Sequence, residues 1–208
     1  MPNWCSNTLQ VQGDVDSINL FRALTEYKTE EEHYFQILKT FLPCPTELTE
    51  TVKGYLGKEK QEKLLAQQQR NIEKYGYPTW YEWCCEVWGC KWSDCDTELY
   101  YSWDNDLSYT FSTPWSPPIE GIQRISLMYP TLYFVLSYQE TGMGYVGANA
   151  IHDGYNREIE GDYSIANKWY DEEDYESAFD AVTQEQESCE KIAWSIIKEW
   201  KETNNACS

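Results

Sequence analysis

The apolar residues at the start of the chain predict a strand followed by a helix. Residues 7–12 alternate apolar and polar side chains, which indicates a half-buried strand. Ile18, Phe21 and Leu24 then recur at the spacing of one helical face. The chain therefore opens with a β-α unit.

The most aromatic stretch, residues 75–92, predicts a short helix with one apolar face. Pro78 can occupy its first position, and Gly89 can end it in a left-handed conformation. Together with the mostly polar helix predicted at 57–74, this stretch belongs to a helical insertion at about 43–92. Its indoles either anchor the insertion in the core or form a platform for a ligand. The residues at helical spacing are Trp80, Trp83, Cys84, Val87 and Trp88.

The second half of the chain predicts further strands and helices. A three-residue hairpin loop at 104–106 joins the first two strands, and Ser116 can cap the helix that follows them. The predicted strands are 98–103, 107–113, 131–138 and 144–151. The predicted helices are 119–127 and 175–201. The third strand is apolar on both faces, so we expect it at the centre of a sheet.

The order of these elements predicts an α+β fold. Without the insertion and the tail it reads β-α-β-β-α-β, which is the ferredoxin-like or split βαβ motif. We expect an antiparallel sheet with helices on one face. The predicted ferredoxin-like domain spans residues 1–153. Residues 154–208 then form an acidic C-terminal extension whose terminal helix packs on the same domain.

The charge of the chain restricts its partners. The 208 residues include 16 Lys and Arg against 35 Asp and Glu, which gives a net charge of −19. This balance argues against general nucleic-acid binding and against anionic membranes, because both need clustered cations. It permits binding to a basic protein surface. Residues 153–190 carry 13 of the acidic residues and only two basic ones.

The sequence also indicates the compartment. No apolar run approaches the roughly 20 residues that cross a bilayer, and the first ten residues do not resemble a signal peptide. We therefore expect a cytoplasmic protein. Its eight cysteines are then expected to be reduced thiols rather than a disulfide framework.

Four stretches together resemble the YubB-type proteins of phages, prophages and conjugative plasmids. They are MPNWCSNTLQVQG at 1–13, YGYPTWYEWCCEVWGCKW at 75–92, FSTPWSPP at 111–118 and LSYQETGMGYVG at 136–147. The resemblance covers most of residues 1–150 and implies a ferredoxin-like fold and a mobile-element setting. It implies no reaction and no catalytic residues. The acidic tail after Gly154 carries no matching motif, and Cys85, Cys90 and Cys95 depart from a family pattern with mostly one cysteine at Cys84.

Several patterns resemble reactive or metal-binding sites. Cys84, Cys85, Cys90 and Cys95 are four thiols, but no C-x-x-C pair occurs among them, so buried thiols are favoured over zinc. Residues 142–147 fit G-x-G-x-x-G. A nucleotide-binding loop would need a helix directly after it, and a strand fits better there. The two histidines, His33 and His152, leave a Cys/His dyad open in principle. We predict no catalytic, cofactor or metal site.

The acidic tail and the exposed aromatic residues are the preferred candidates for a binding surface. The acidic clusters either form a solvated face, bind Ca²⁺ or Mg²⁺, or contact a basic protein, with a possible likeness to the phosphates of DNA. Exposed Trp and Tyr are strong interface anchors and can also stack on a base. The candidate residues are Trp92, Trp103, Trp115, Tyr145, Tyr155, Glu158, Glu160, Asp162, Asp171, Glu172, Glu173 and Asp174.

The composition predicts a non-enzymatic, acidic accessory protein, and the resemblance to YubB-type proteins implies that it belongs to a phage or plasmid. We expect it to bind a host protein with a basic surface, and its use would be to inhibit a defence or nucleic-acid-handling factor. One alternative is a module that sequesters a nucleotide or another small molecule in an aromatic pocket. A second alternative is an enzyme of unknown reaction.

Overall fold

A six-stranded antiparallel sheet forms the centre of the part of the chain that the structure describes. The computed structural model describes residues 2–206, without the side chains of residues 59 and 204–206. The sheet strands are β1 (Trp4–Gln12), β4 (Cys95–Trp103), β5 (Asp106–Pro114), β6 (Tyr133–Glu140), β7 (Tyr145–His152) and β8 (Tyr155–Glu160). They lie side by side in the order β4-β5-β1-β6-β7-β8. A separate hairpin consists of β2 (Glu26–Lys28) and β3 (His33–Phe35).

The helices lie before, between and after these strands. Those before β4 are α1 (Val15–Thr25), α2 (Leu38–Phe41), α3 (Thr46–Thr49), α4 (Lys58–Tyr75) and α5 (Trp80–Val87). Those after β5 are α6 (Ile119–Met128), a 3₁₀ helix (Tyr163–Ala166), α7 (Asn167–Asp171) and α8 (Tyr175–Ala206). Within residues 2–206, no helix combines the length and the apolar character needed to cross a membrane.

The predicted β-α-β-β-α-β order is present as β1, α1, β4, β5, α6 and β6. These four strands lie in the order β4-β5-β1-β6, and every neighbouring pair is antiparallel. Strands β7 and β8 extend the β6 edge as a meander. Since β6 lies inside the sheet and is buried along nearly its whole length, the prediction of a central strand is correct.

The main core lies on one face of the sheet, against α1, α5 and α6. Alternate residues of β1, such as Leu9 and Val11, point into it and are fully buried. Phe21 of α1 is at its centre. Its ring contacts those of Phe41, Tyr109, Tyr129 and Phe134, with centroids 4.8–6.3 Å away.

The expectation of helices on only one face is wrong, because α8 covers the opposite face. Val135 of β6 and the small residues Ala148 and Ala150 of β7 form a buried cluster there with Cys189 and Ala193 of α8. Alanine at these positions lets a helix approach the sheet closely. The acidic extension thereby forms a third layer on the domain.

The insertion is longer than predicted, because it begins with the β2–β3 hairpin. Helix α5 begins at Trp80, one residue after its N-cap Thr79, whose hydroxyl accepts from the Tyr81 N–H at 3.2 Å. Pro78 therefore precedes the cap instead of opening the helix. Gly89 has a positive φ of 82°, so the predicted left-handed C-terminal position is correct.

Two turns in the second half also differ from the prediction. Trp103 pairs with Asp106, so the hairpin loop has two residues rather than three. Ser116 does not cap α6, which has Pro118 at its N-cap position. The Ser116 hydroxyl instead donates to the Gly89 carbonyl at 2.6 Å, which ties this turn to the end of α5.

Strand β8 was not predicted, and it moves the boundary of the domain. The sheet continues to Glu160, so the boundary at 153/154 falls inside the β7–β8 hairpin. This strand lies at the edge of the sheet, and most of its side chains are exposed and polar. Charged edge strands are a common protection against unwanted pairing, and they lack the apolar alternation that identifies buried strands.

Candidate functional site

A cavity of about 600 Å³ brings acidic and aromatic side chains together at the β8 edge of the sheet. We call it the acidic cavity and define it by Trp115, Tyr145, Glu158, Glu160, Asp162 and Tyr163. All of these except Tyr163 were predicted as candidates from the sequence. Among the described residues, no Lys, Arg or His lines this cavity. Its lining charge is therefore entirely negative.

The alternation of β8 places its two glutamates on the cavity face. Glu158 pairs with Asn149 and Glu160 pairs with Gly147, on the face that also carries Tyr138. Arg157 directly precedes Glu158 and, like Ile159, points to the other face, as strand geometry requires. The strand therefore presents both carboxylates to the cavity and keeps its one cation away from them.

Tyr138 forms part of the cavity floor. Its hydroxyl donates to Glu158 Oε1 at 3.3 Å. Burial, reinforced by the nearby Glu158 carboxylate, raises the pKa of Tyr138 above its usual value. The phenol thus stays protonated at neutral pH and can keep donating to the carboxylate. This hydrogen bond holds the Tyr138 and Glu158 side chains in place.

Trp115 forms a wall of the cavity from a strained backbone conformation. Its φ is +72°, in the left-handed region that residues other than glycine seldom occupy. Two hydrogen bonds hold this turn: the Trp115 N–H donates to the Asn3 carbonyl at 2.9 Å, and the Tyr145 hydroxyl donates to the Trp115 carbonyl at 2.5 Å. Such strain is concentrated at functional sites in proteins, and here it holds an indole half-exposed at the cavity.

Asp162 and Tyr163 form the wall that follows β8. Asp162 caps the 3₁₀ helix and accepts from the Ser164 N–H at 2.9 Å and from its hydroxyl at 2.6 Å. These bonds to Ser164 lower the pKa of the Asp162 carboxyl, so it is charged at neutral pH. The Tyr163 hydroxyl lies 2.9 Å from that of Tyr170 in α7, which links the cavity wall to the next helix.

The G-x-G-x-x-G stretch shapes this cavity and leads into strand β7, not into a helix. Gly144 has a φ of +74°, and a Cβ there would lie 3.3 Å from the Tyr163 ring. A Cβ at Gly147 would lie 2.8 Å from the Tyr138 hydroxyl. These glycines therefore let two aromatic walls approach the sheet, and the stretch is a β connection, as the sequence favoured.

The other candidate residues lie outside the acidic cavity. Trp92 lines a different cleft near α5, and Tyr155 borders a smaller cavity with Trp200 of α8. Trp103 is exposed at the end of β4. The acidic cluster 171–174 forms the turn between α7 and α8, where Asp174 accepts from the Ser177 N–H at 3.1 Å and caps α8.

The cysteines and histidines that the sequence singled out do not combine into a metal-binding group among the described residues. Within residues 2–206, no three His, Cys, Asp or Glu side chains are grouped to hold a metal ion. Nε2 of His33 lies 2.9 Å from a Glu26 carboxylate oxygen, and Nδ1 of His152 lies 3.0 Å from the Leu132 carbonyl.

The thiols differ strongly in exposure. Burial raises the pKa of Cys5 to about 12 and also raises the pKa values of Cys84 and Cys90. Cys84 and Cys90 are buried, whereas Cys85, the next residue of α5 after Cys84, is exposed. Thiolate is the reactive form of cysteine, so the buried thiols are expected to be inert.

Alkylation should therefore distinguish the two adjacent cysteines. In the native protein at neutral pH, we expect iodoacetamide to modify Cys85 at least about tenfold faster than Cys84, because only the first is accessible. Tandem mass spectrometry of the digested protein measures both positions. Cys85→Ser should remove the fast modification and leave the rate at Cys84 unchanged. Similar rates at the two residues would contradict the buried position of Cys84.

Sequence reasoning missed Tyr163 and Tyr138 as parts of the site. Tyr163 directly follows the acidic stretch 158–162. An aromatic residue next to acidic candidates was an available signal. Tyr138 lies in a strand that is apolar on both faces, so nothing in the sequence distinguished it from a core residue. Only the pairing of β6 with β7, and of β7 with β8, brings its hydroxyl to Glu158.

Comparisons with known proteins identify the fold of the central and C-terminal part. Residues 88–184 match the family model for the ferredoxin-like domain in Api92-like protein. The predicted ferredoxin-like fold is thus confirmed. This match includes the whole acidic cavity and the cluster 171–174.

The structural comparison gives a more distant similarity. The crystal structure of the protein api92 from Yersinia pseudotuberculosis aligns with 76% of this chain and with 98% of its own chain. The sequence identity is 13% and the TM-score is 0.42. A comparison with curated protein sequences gives no match.

Proposed function

We propose that this protein is a non-enzymatic accessory protein that binds a basic surface of another protein through the acidic cavity. The observation that carries the proposal is the convergence of Glu158, Glu160 and Asp162 between aromatic walls, with no cation in the described lining. A lysine or arginine side chain of the partner enters the cavity and neutralises this charge. We therefore expect the partner to expose a lysine or arginine side chain within a basic surface.

Two interactions favour such a side chain. An ammonium or guanidinium over the face of Trp or Tyr gains about 0.5–2 kcal/mol, the larger value when it is desolvated. Hydrogen bonds between a guanidinium and a carboxylate are about twice as strong as neutral ones. The acidic cavity offers both interactions in one place. The rings belong to Trp115, Tyr145 and Tyr163, and the carboxylates to Glu158 and Glu160.

The net charge of −19 acts over a longer range. It steers basic partners toward the protein and repels nucleic acid and anionic lipid. Proteins that handle nucleic acid carry basic surfaces, so such a factor of the host is the partner that we propose. Occupying its phosphate-binding surface would inhibit it, which is the effect of a DNA mimic.

The setting that we propose is a phage or plasmid acting in the cytoplasm of its host. The resemblance of four stretches of the chain to YubB-type proteins supports it, and a host defence factor is then a natural target. In this proposal the protein catalyses no reaction. Its effect comes from occupying the partner.

The test compares two variants that each lose two negative charges, one variant in the cavity and the other outside it. The cavity variant is Glu158→Gln with Glu160→Gln, and the control is Glu172→Gln with Glu173→Gln at the α7–α8 turn. The probe is a labelled peptide of alternating arginine and glycine, followed by basic proteins from host lysate. We expect the cavity variant to bind at least about tenfold more weakly, equivalent to about 1.4 kcal/mol, and the control less than about twofold.

Two results would contradict the proposal. Equal weakening by both variants would show that bulk charge, not the cavity, determines binding. An affinity that does not change between about 0.05 M and about 0.5 M salt would exclude an electrostatic interface, because salt screens exposed charges.

A further inference from the structure

A second cleft, lined by none of the acidic-cavity residues, has the opposite character. Its volume is about 530 Å³, within the range of small-molecule sites. We call it the aromatic cleft and define it by Lys39, Trp80, Trp88, Lys91, Trp92 and Asp94. It lies between the segment around α2 and α3, helix α5 and the loop that leads to β4.

The indoles of the cleft are held by the core. Trp88 is buried, and its Nε1–H donates to the Leu42 carbonyl at 2.9 Å. Its ring meets that of Trp83 edge to face, with centroids 5.3 Å apart. Trp80 is half-buried and Trp92 is 39% exposed, so their surfaces remain accessible from solvent. The cleft thus has a fixed base and an exposed indole at its rim.

Two lysines give the cleft a positive charge in a strongly acidic protein. Lys91 Nζ lies 4.5 Å from the centroid of the Trp92 ring. Within residues 2–206, neither Lys39 nor Lys91 forms a salt bridge. Both ammonium groups are therefore available to an anion that enters the cleft.

The one acidic residue of the lining already accepts hydrogen bonds from four groups of the protein. Asp94 is buried and accepts from the Ile37 and Leu38 N–H groups at 2.8 and 2.9 Å. It also accepts from the Ser93 and Thr97 hydroxyls at 2.8 and 2.7 Å. These donors hold its carboxylate in the protein frame. It is therefore a structural group, and the lysines dominate the charge that a ligand meets.

We propose that the aromatic cleft binds a free mononucleotide, with the base stacked on Trp92 and Trp80 and the phosphate between Lys39 and Lys91. Stacking of a base on an aromatic side chain contributes about 1–3 kcal/mol, and the two ammonium groups select the phosphate. The volume suits one nucleotide. A nucleic-acid strand would bring many phosphates against a protein of net charge −19, which is unfavourable. This inference does not rest on the proposed function of the acidic cavity.

Calorimetric titration tests the proposal with AMP, adenosine and a short single-stranded oligonucleotide. We expect AMP to bind with a Kd below about 1 mM and adenosine to bind at least about tenfold more weakly, since it lacks the phosphate. Lys91→Ala and Lys39→Ala should each weaken AMP about fivefold and leave adenosine unchanged. Trp92→Ala should weaken both ligands. Circular dichroism checks that each variant is folded.

The control is Lys191→Ala, which removes the same charge from an exposed position on α8. It should leave AMP binding unchanged. No binding of AMP below about 1 mM would overturn the proposal, and so would equal affinities for AMP and adenosine. Equal effects of Lys191→Ala and Lys91→Ala would reduce the interaction to bulk charge. Tighter binding of the oligonucleotide than of AMP would identify a strand, not a mononucleotide, as the occupant.

Discussion

Phe21→Ala is expected to lower the free energy of unfolding by about 3–5 kcal/mol, the typical loss for a buried phenylalanine. The Phe21 side chain is fully buried at the centre of the main core. Its ring stacks on Phe41 at 4.8 Å and meets Tyr129 edge to face at 5.4 Å. It also contacts Tyr109 and Phe134 of the sheet. Removing it would leave a cavity between the sheet and the helical elements that pack on this face.

The position of Phe21 explains why the loss should be near the upper end of this range. Phe41 belongs to the insertion, Tyr129 follows α6, and Tyr109 and Phe134 belong to different strands. These rings cannot all move into the space without shifting elements that other contacts hold. The remaining void therefore stays largely unfilled, and the destabilisation grows with its volume.

Urea denaturation followed by circular dichroism measures this prediction. The control is Leu20→Ala, one residue earlier on α1, where the side chain is 53% exposed. It should change the free energy of unfolding by less than about 1 kcal/mol. A similar loss for the two variants would show that Phe21 is not at the centre of the core.

Asp94→Ala is expected to lower the free energy of unfolding by about 3–5 kcal/mol, because it leaves buried donors without an acceptor. Asp94 accepts from the N–H groups of Ile37 and Leu38 at the start of α2. It also accepts from two hydroxyls beside the start of β4. The carboxylate therefore ties the insertion to the sheet. Each orphaned buried N–H costs about 1–3 kcal/mol.

A conservative replacement refines the prediction. Asp94→Asn keeps the shape of the side chain but turns one acceptor into an NH₂ group that faces another donor. We expect it to retain part of the stability, with a loss of about 2–3 kcal/mol. The matched control is Asp96→Asn, at an exposed position with a positive φ that asparagine tolerates. It should be nearly neutral.

Hydrogen exchange distinguishes a local effect from a global one. In Asp94→Ala the amides of Ile37 and Leu38 should lose protection more than those of β1 or β6, since the lost bonds hold α2. Unchanged protection at these two amides would contradict the proposed tie. The same experiment reports on the aromatic cleft, because Lys39 lies in α2 and Asp94 lines the cleft.

The two candidate sites differ in how far the sequence could predict them. Trp115, Tyr145, Glu158, Glu160 and Asp162 were individually identified, but as exposed aromatic residues and as an acidic tail. Nothing in the sequence placed the two groups together, since their meeting depends on the pairing of β7 with β8. The unpredicted β8 strand is the element that orients both glutamates.

The aromatic cleft could be predicted from the sequence only in part. The sequence predicted the α5 helix and singled out Trp92. It left open whether the indoles of this stretch anchor the insertion in the core or form a platform for a ligand. The structure supports the anchor interpretation for Trp83 and Trp88, which are buried, and leaves Trp92 at the rim. Lys39 was not considered, because it lies 52 residues before Lys91 in the sequence and meets it only through the packing of the insertion.

The stretch 75–92 and the acidic tail thus illustrate what local sequence determines. Apolar periodicity determined the helices, the central strands and the ferredoxin-like order, because burial of a face imposes a period that can be read locally. Net charge suggested the class of partner that we propose, a protein with a basic surface. Tertiary structure alone decided that α8 covers the second face of the sheet, that β8 extends its edge, and which charged groups share a cavity. Those outcomes depend on register and on contacts between distant residues, which no local pattern encodes.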